Sequence, residues 1–177
     1  MEPTDDLRYP IGKFSPPQSY SPADLASDIR RIETLPGQLK SETASFNEAM
    51  FSTPYRPDGW TVRQLIHHLA DSHMHAWIRI KWALTEENPS IKAYDEKRYA
   101  ETPDNQLDPG ISLGLLEWHH RRWAGLLAGL TEEQLNRTFI HPVSGSMIPV
   151  RRMVQLYAWH GDHHLAHITS LKKRMNW

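Results

Sequence analysis

From Trp60-Thr61 onward the apolar residues Val62, Leu65, Ile66, Leu69, Ala76 and Ile80 return every three or four positions. That spacing lays them along one stripe of a 3.6-residue helix, and Thr61 in front of them supplies a side-chain cap. One long helix is therefore predicted over about residues 61–85, and its apolar stripe has to be buried against other elements. Three further stretches read the same way. Ser21-Pro22 opens a helix carrying Leu25, Ile29 and Ile32, which Pro36-Gly37 should kink or interrupt before Leu39 to Phe46 continue. Residues 110–130 carry Leu113, Leu116, Trp123 and Leu127 on one face. Residues 149–174 begin with a proline and end in Lys172, Lys173 and Arg174, cations that complement the negative end of a helix dipole.

Between these helices the sequence changes character. Asn88 to Pro109 is polar and broken by Pro89 and Pro103, as expected of a long crossover connection. Residues 137–149 place Thr138-Phe139-Ile140 and Met147-Ile148 around Ser144-Gly145-Ser146, a pattern for a small hairpin. The first twenty residues hold Pro3, Pro10, Pro16 and Pro17 and should form an extended arm that wraps the rest. Four long helices with one crossover make a four-helix bundle, so residues 1–177 are expected to form a single all-α domain.

Charge narrows the partners. The chain has 20 Lys and Arg against 21 Asp and Glu, so it has no surplus positive charge with which to hold nucleic acid or an anionic membrane. No apolar run approaches the roughly 18 residues of a membrane span, and Met1 to Asp6 are acidic where a secretory signal would be basic and then apolar. A cytoplasmic protein is expected. Cysteine is absent, which removes disulfides, thiolate ligands and a cysteine nucleophile together, and leaves any metal to nitrogen and oxygen donors.

The chain has 11 histidines, and ten of them cluster, as His67-His68 with His73 and His75, as His119-His120, and as His160, His163, His164 and His167. On the last helix the buried stripe runs through Met153, Tyr157, Ile168 and Leu171. At 100° per residue, His164 falls about 20° and His160 about 60° from its centre, with His167 and His163 about 80° and 120° away. Residues four apart share a face, so His160 and His164 form the inward pair that could bind one ion. A third ligand should come from His67 or His68, between which the wheel leaves the choice open. Asp71, one turn on, is a candidate ligand, a partner for an imidazole N–H, or a general base. Asp162, His119 and His120 read as ordinary helix residues. The metalloprotease signature is not present, because Gly161 stands where its glutamate would follow the first histidine.

The run Trp60-Thr61-Val62-Arg63-Gln64-Leu65-Ile66-His67-His68-Leu69-Ala70-Asp71-Ser72-His73-Met74, with Trp159 to Ile168 far downstream, resembles the DinB superfamily, and within it the YfiT branch of metal-dependent hydrolases. The likeness extends from Tyr9-Pro10-Ile11-Gly12 through Tyr94-Asp95-Glu96-Lys97 to the last helix. It implies an up-down-down-up four-helix bundle, a homodimer, and one divalent metal per chain, zinc or nickel, held by His68, His160 and His164 with water completing the coordination. Some members of that branch are bacillithiol S-transferases.

Three functions follow as expectations. One is hydrolysis by a metal-activated water, with Asp71 and His67 as candidate acid–base residues. A second is transfer of a low-molecular-weight thiol to an electrophile, with Arg63, Tyr94, Arg98 or Trp159 helping to form a cosubstrate pocket. The third is a metal-stabilised binding or dimerisation module without catalysis.

Overall fold

The structure, a computed structural model, describes residues 7–177. Four long helices form the body: α1 (Pro22–Thr43), α2 (Val62–Thr85), α3 (Pro109–Ala128) and α4 (Val150–Met175). Strands β1 (Thr138–Ile140) and β2 (Met147–Pro149) pair antiparallel, with Phe139 opposite Ile148, as the predicted hairpin. The crossover between α2 and α3 is less irregular than its prolines suggest, holding a helical turn at Glu96–Tyr99 and a 3-10 turn at Pro103–Gln106.

The helix starts follow local chemistry. Ser21 and Thr61 each cap the backbone N–H three residues on, while Asp24 and Gln64 reach back to the cap N–H. Both are reciprocal capping boxes, each satisfying two donors that the first turn cannot use. Two expectations about α1 are corrected. It runs unbroken through Pro36 and stops at Thr43 rather than continuing to Phe46. A proline within a helix deprives the carbonyl four residues earlier, here Ile32, of its N–H partner. His120 on α3 supplies a replacement, its Nδ1 lying 2.6 Å from the Ile32 oxygen.

Helix directions can be read from cross-helix contacts. Arg31 meets Asp162 and Glu42 meets Lys172, so α1 and α4 run parallel. His67 meets Ser112 and His73 meets His120, so α2 and α3 also run parallel. His68 meets His160 while Ser72 meets Tyr157, which sets α2 antiparallel to α4. The order is up-down-down-up. α1 packs chiefly on α3 and α4, and so does α2, leaving α1 and α2 on one diagonal of the bundle.

The apolar core is in two parts. One gathers Ile32, Ile80, Trp123, Phe139 and Val154, the other Leu35, Leu39, Leu65, Ile66, Leu116 and Ile168. Between them along the helices lies a polar layer that includes Ser72, His73, His120 and His164, all buried. The described part of the arm runs along α4, with Tyr9 on His163, and Phe14 on Trp159 beneath the Arg152 guanidinium. Positions 1–6 of the predicted arm lie outside the described residues. Among the described residues no helix is long and apolar enough to cross a membrane.

Candidate metal centre

The polar layer opens into a cavity of about 680 Å3 beside the first turns of α2 and the middle of α4, and His68, His160, His163, His164 and His167 are among its lining residues. The arm contributes Arg8 and Tyr9, the loop before α2 contributes Arg56, Asp58 and Trp60, and the crossover contributes Glu96, Lys97 and Glu101. One ring nitrogen from each of His68, His160 and His164 lies within 4.8 Å of the other two. His68 Nε2 and His160 Nε2 face each other at 3.4 Å. Two nitrogens bound to one tetrahedral divalent ion at about 2.0–2.1 Å are held about 3.3–3.4 Å apart, so this pair already has the separation an ion requires.

The rings are also in the protonation state that binding needs. Burial pushes the His68 imidazole down to about 4. Burial, reinforced by the neighbouring imidazoles, holds His160 and His164 well below the ordinary histidine value. All three are therefore neutral near pH 7 and keep a lone pair for a cation. Trp60 lies over His68 with ring centroids 4.5 Å apart, shielding one side of that ring.

A second triplet overlaps the first. His163, His164 and His167 also bring one ring nitrogen each within 4.8 Å of one another. The wheel turned His163 and His167 away from the bundle stripe, yet both are buried. The arm accounts for the difference: the Arg8 carbonyl accepts from His167 Nε2 at 3.1 Å, and Tyr9 covers His163. A wheel drawn for the bundle face alone has no place for an arm.

The structure separates His67 from the other candidates. His67 points toward the start of α3, where Nδ1 meets the Ser112 hydroxyl at 2.7 Å and Nε2 donates to the Leu107 carbonyl at 3.2 Å. With one nitrogen tied to α3 and the other to the crossover, it does not line the cavity. Asp71 sits on the same side of α2, and burial, together with the nearby Asp104 charge, raises its carboxyl to about 6. It too is absent from the cavity wall. The structure thus does not bring His67 and Asp71, the expected acid–base residues, to the cavity wall beside the three histidines.

The cosubstrate candidates divide similarly. Trp159 lines the cavity. Arg63 is instead bound to Glu48 and to the Leu107 carbonyl, and Tyr94 stacks on His75 with centroids 4.3 Å apart. Arg98 pairs with Asp95 at the surface. Asp162 is engaged by Arg31. His120, read as an ordinary helix residue, is fully buried against His73.

An up-down-down-up four-helix bundle with a histidine cluster between α2 and α4 defines the structural class. The chain belongs to the DinB superfamily, whose family model matches residues 31–168. A protein of Bacillus cereus strain 03BB102, named provisionally as a metal-dependent hydrolase, is 48% identical over 173 residues, covering 98% of this chain and 99% of its own. A Bacillus anthracis strain A0248 protein under the same name is also 48% identical over 173 residues, with the same coverage. The solved structure of YfiT from Bacillus subtilis superposes with a TM-score of 0.94 at 46% identity, covering 97% of this chain and 99% of YfiT. It too is described provisionally as a metal-dependent hydrolase, with an unusual four-helix bundle topology. A mycothiol-dependent maleylpyruvate isomerase shares the fold alone, at TM-score 0.59 and 18% identity over 78% of this chain and 60% of its own.

Proposed function

We propose that this chain is a metal-dependent hydrolase in which His68, His160 and His164 hold one divalent ion, zinc or nickel. The observation that carries the reading is the 3.4 Å approach of two part-buried imidazole nitrogens on the wall of an open cavity. When bound, the ion would supply Lewis acidity and a coordinated water whose pKa falls toward about 7.

The remaining work is done by the chain's own residues. The histidine rings hold their lone pairs toward one point, and Trp60 keeps solvent from one face of His68. At the cavity wall Arg8, Arg56 and Lys97 offer positive charge for an anionic group of the substrate, and Glu96, Glu101 and Asp58 offer carboxylates for proton transfer. These carboxylates line the cavity, which Asp71 and His67 do not, and this supports them as acid–base candidates.

Thiol S-transfer is the second reading, favoured by the size of the cavity and by the Arg8, Arg56 and Lys97 cations on its wall. Such a space admits a small anionic thiol, bacillithiol or a similar one, beside an electrophile, and a thiolate is the attacking species in that chemistry.

Elemental analysis of protein purified without chelating columns tests the site. About one ion per chain is expected, lost in His68→Ala and in His160→Ala and retained in His163→Ala. Metal retained in the first two variants, or lost only with His163 and His167, would refute the ligand set. Release of acid from ester and amide panels, set against consumption of a thiol with an electrophile, then separates the two reactions.

A further inference from the structure

Three histidines, His120, His73 and His160, form a line that ends at the candidate metal centre. His120 Nδ1 lies 2.6 Å from the Ile32 carbonyl oxygen, His73 Nδ1 lies 2.9 Å from His120 Nε2, and His160 Nδ1 lies 3.0 Å from His73 Nε2. A neutral imidazole carries one N–H and one lone pair, and a carbonyl oxygen only accepts. His120 must therefore place its proton on Nδ1, which leaves Nε2 as an acceptor. His73 must then donate from Nδ1 and accept at Nε2, and His160 must donate from Nδ1. What remains on His160 is the Nε2 lone pair, aimed at His68 Nε2.

The anchor of this line is the carbonyl that Pro36 releases. An ordinary residue at position 36 would direct its N–H to Ile32, so the proline inside α1 is what leaves that oxygen free for His120. A shorter line serves the other ligand on α4. His167 Nε2 donates to the Arg8 carbonyl, so its Nδ1 accepts, and His164 Nδ1 lies 3.3 Å from it. His164 is thereby left with a lone pair on Nε2. It cannot also offer Nδ1 to the overlapping triplet, which distinguishes the two sets of candidate ligands.

We propose that two imidazole chains, each ending on a backbone carbonyl, fix the tautomers of His160 and His164, and that His120, His73 and His167 are positioning residues for the ion. The inference rests on the proposed metal site for its purpose but not for its geometry. Outer partners of metal-bound histidines orient the ring and set which nitrogen is free, and losing one typically weakens binding about 10–100-fold.

Two measurements decide it. Long-range 1H–15N correlation spectra of the full chain, stripped of metal by a chelator, should show protons on Nδ1 of His120, His73, His160 and His164, and on Nε2 of His167. A proton on Nε2 of His73 or His120 would overturn the relay. Zinc affinity, read by competition with a chromophoric chelator, should fall about 10–100-fold in His120→Phe. It should recover in part in His120→Gln, whose amide can both donate and accept. Native affinity in a folded His120→Phe would overturn the positioning role; if that variant loses its helical circular dichroism, the tautomer spectra of the native chain decide alone. A native chain that binds no zinc removes the proposed function instead, and the spectra still report whether the relay exists.

Discussion

Replacing Gly161 by alanine probes how closely α1 and α4 meet beside the centre. A Cβ built at Gly161 would lie 2.7 Å from Leu35 Cδ2 and 3.5 Å from both its Cδ1 and its Cγ. Leu35 is only 1% exposed and packs within the second core cluster, so its methyl group has little room to swing aside. Two effects then oppose each other. Alanine is better than glycine within a helix by about 1 kcal/mol, whereas overpacking a filled core costs about 1–3 kcal/mol. The balance is a loss of about 0–2 kcal/mol, and at about 2–4 °C per kcal/mol for a domain of this size the melting temperature should fall by a few degrees. Because Gly161 follows His160 directly, the displaced turn should also weaken metal binding. Thermal unfolding of the metal-free protein by circular dichroism, paired with a zinc titration, reads both effects. A melting temperature raised by the full helix-propensity gain, with unchanged zinc affinity, would refute the close packing of α4 on α1 at this level.

Other outcomes follow from the charge and proton balance of the layer. Asp71→Asn should raise the melting temperature at pH 8 and change it little near pH 4, because a carboxyl raised to about 6 in the folded chain destabilises it only once ionised. The same variant should leave metal content unchanged, and loss of metal would return Asp71 to the site. Burial pushes His120 down to about 4 and His167 to about 3, so the unfolded chain takes up their protons first. Stability of the metal-free protein should accordingly be complete above the ordinary value of about 6.5 and decline as pH falls through it toward 4 and 3, at up to about 1.4 kcal/mol per pH unit for each histidine. Acid titration of the unfolding free energy checks this, and a flat profile from pH 7 to 4 would contradict the burial of the layer. The homodimer implied by the family resemblance is tested by sedimentation equilibrium, where a single species of about twice the chain mass is expected.

The helices were legible because their signals are local. Apolar spacing, Ser21 and Thr61 as caps, and prolines at the starts of helices act within a few residues, and helix ends fell within a residue or two except beyond Pro36. At Pro36 the local rule was outweighed by a partner from α3, which no reading of α1 alone contains. The choice between His67 and His68 had the same origin. Adjacent residues straddle a helical stripe, and what separates them is that α4 lies on one side of α2 and the crossover on the other. His73 and His120 were hidden because a buried histidine gives the same sequence signal whether it ends on a carbonyl or on another ring.

The up-down-down-up order also governs how the chain reaches this structure. Helices adjacent in sequence normally form hairpins that can assemble early, but here α1 lies diagonal to α2, and α3 lies diagonal to α4. The first helix must wait for α3 and α4 before its apolar face is covered, and His68 meets His160 only after a separation of 92 residues is closed. Such a bundle should fold slowly for an all-helical protein, since rates fall as contacts become less local. During synthesis α1 and α2 can meet only through α3, and the core cannot close until the last helix has been made.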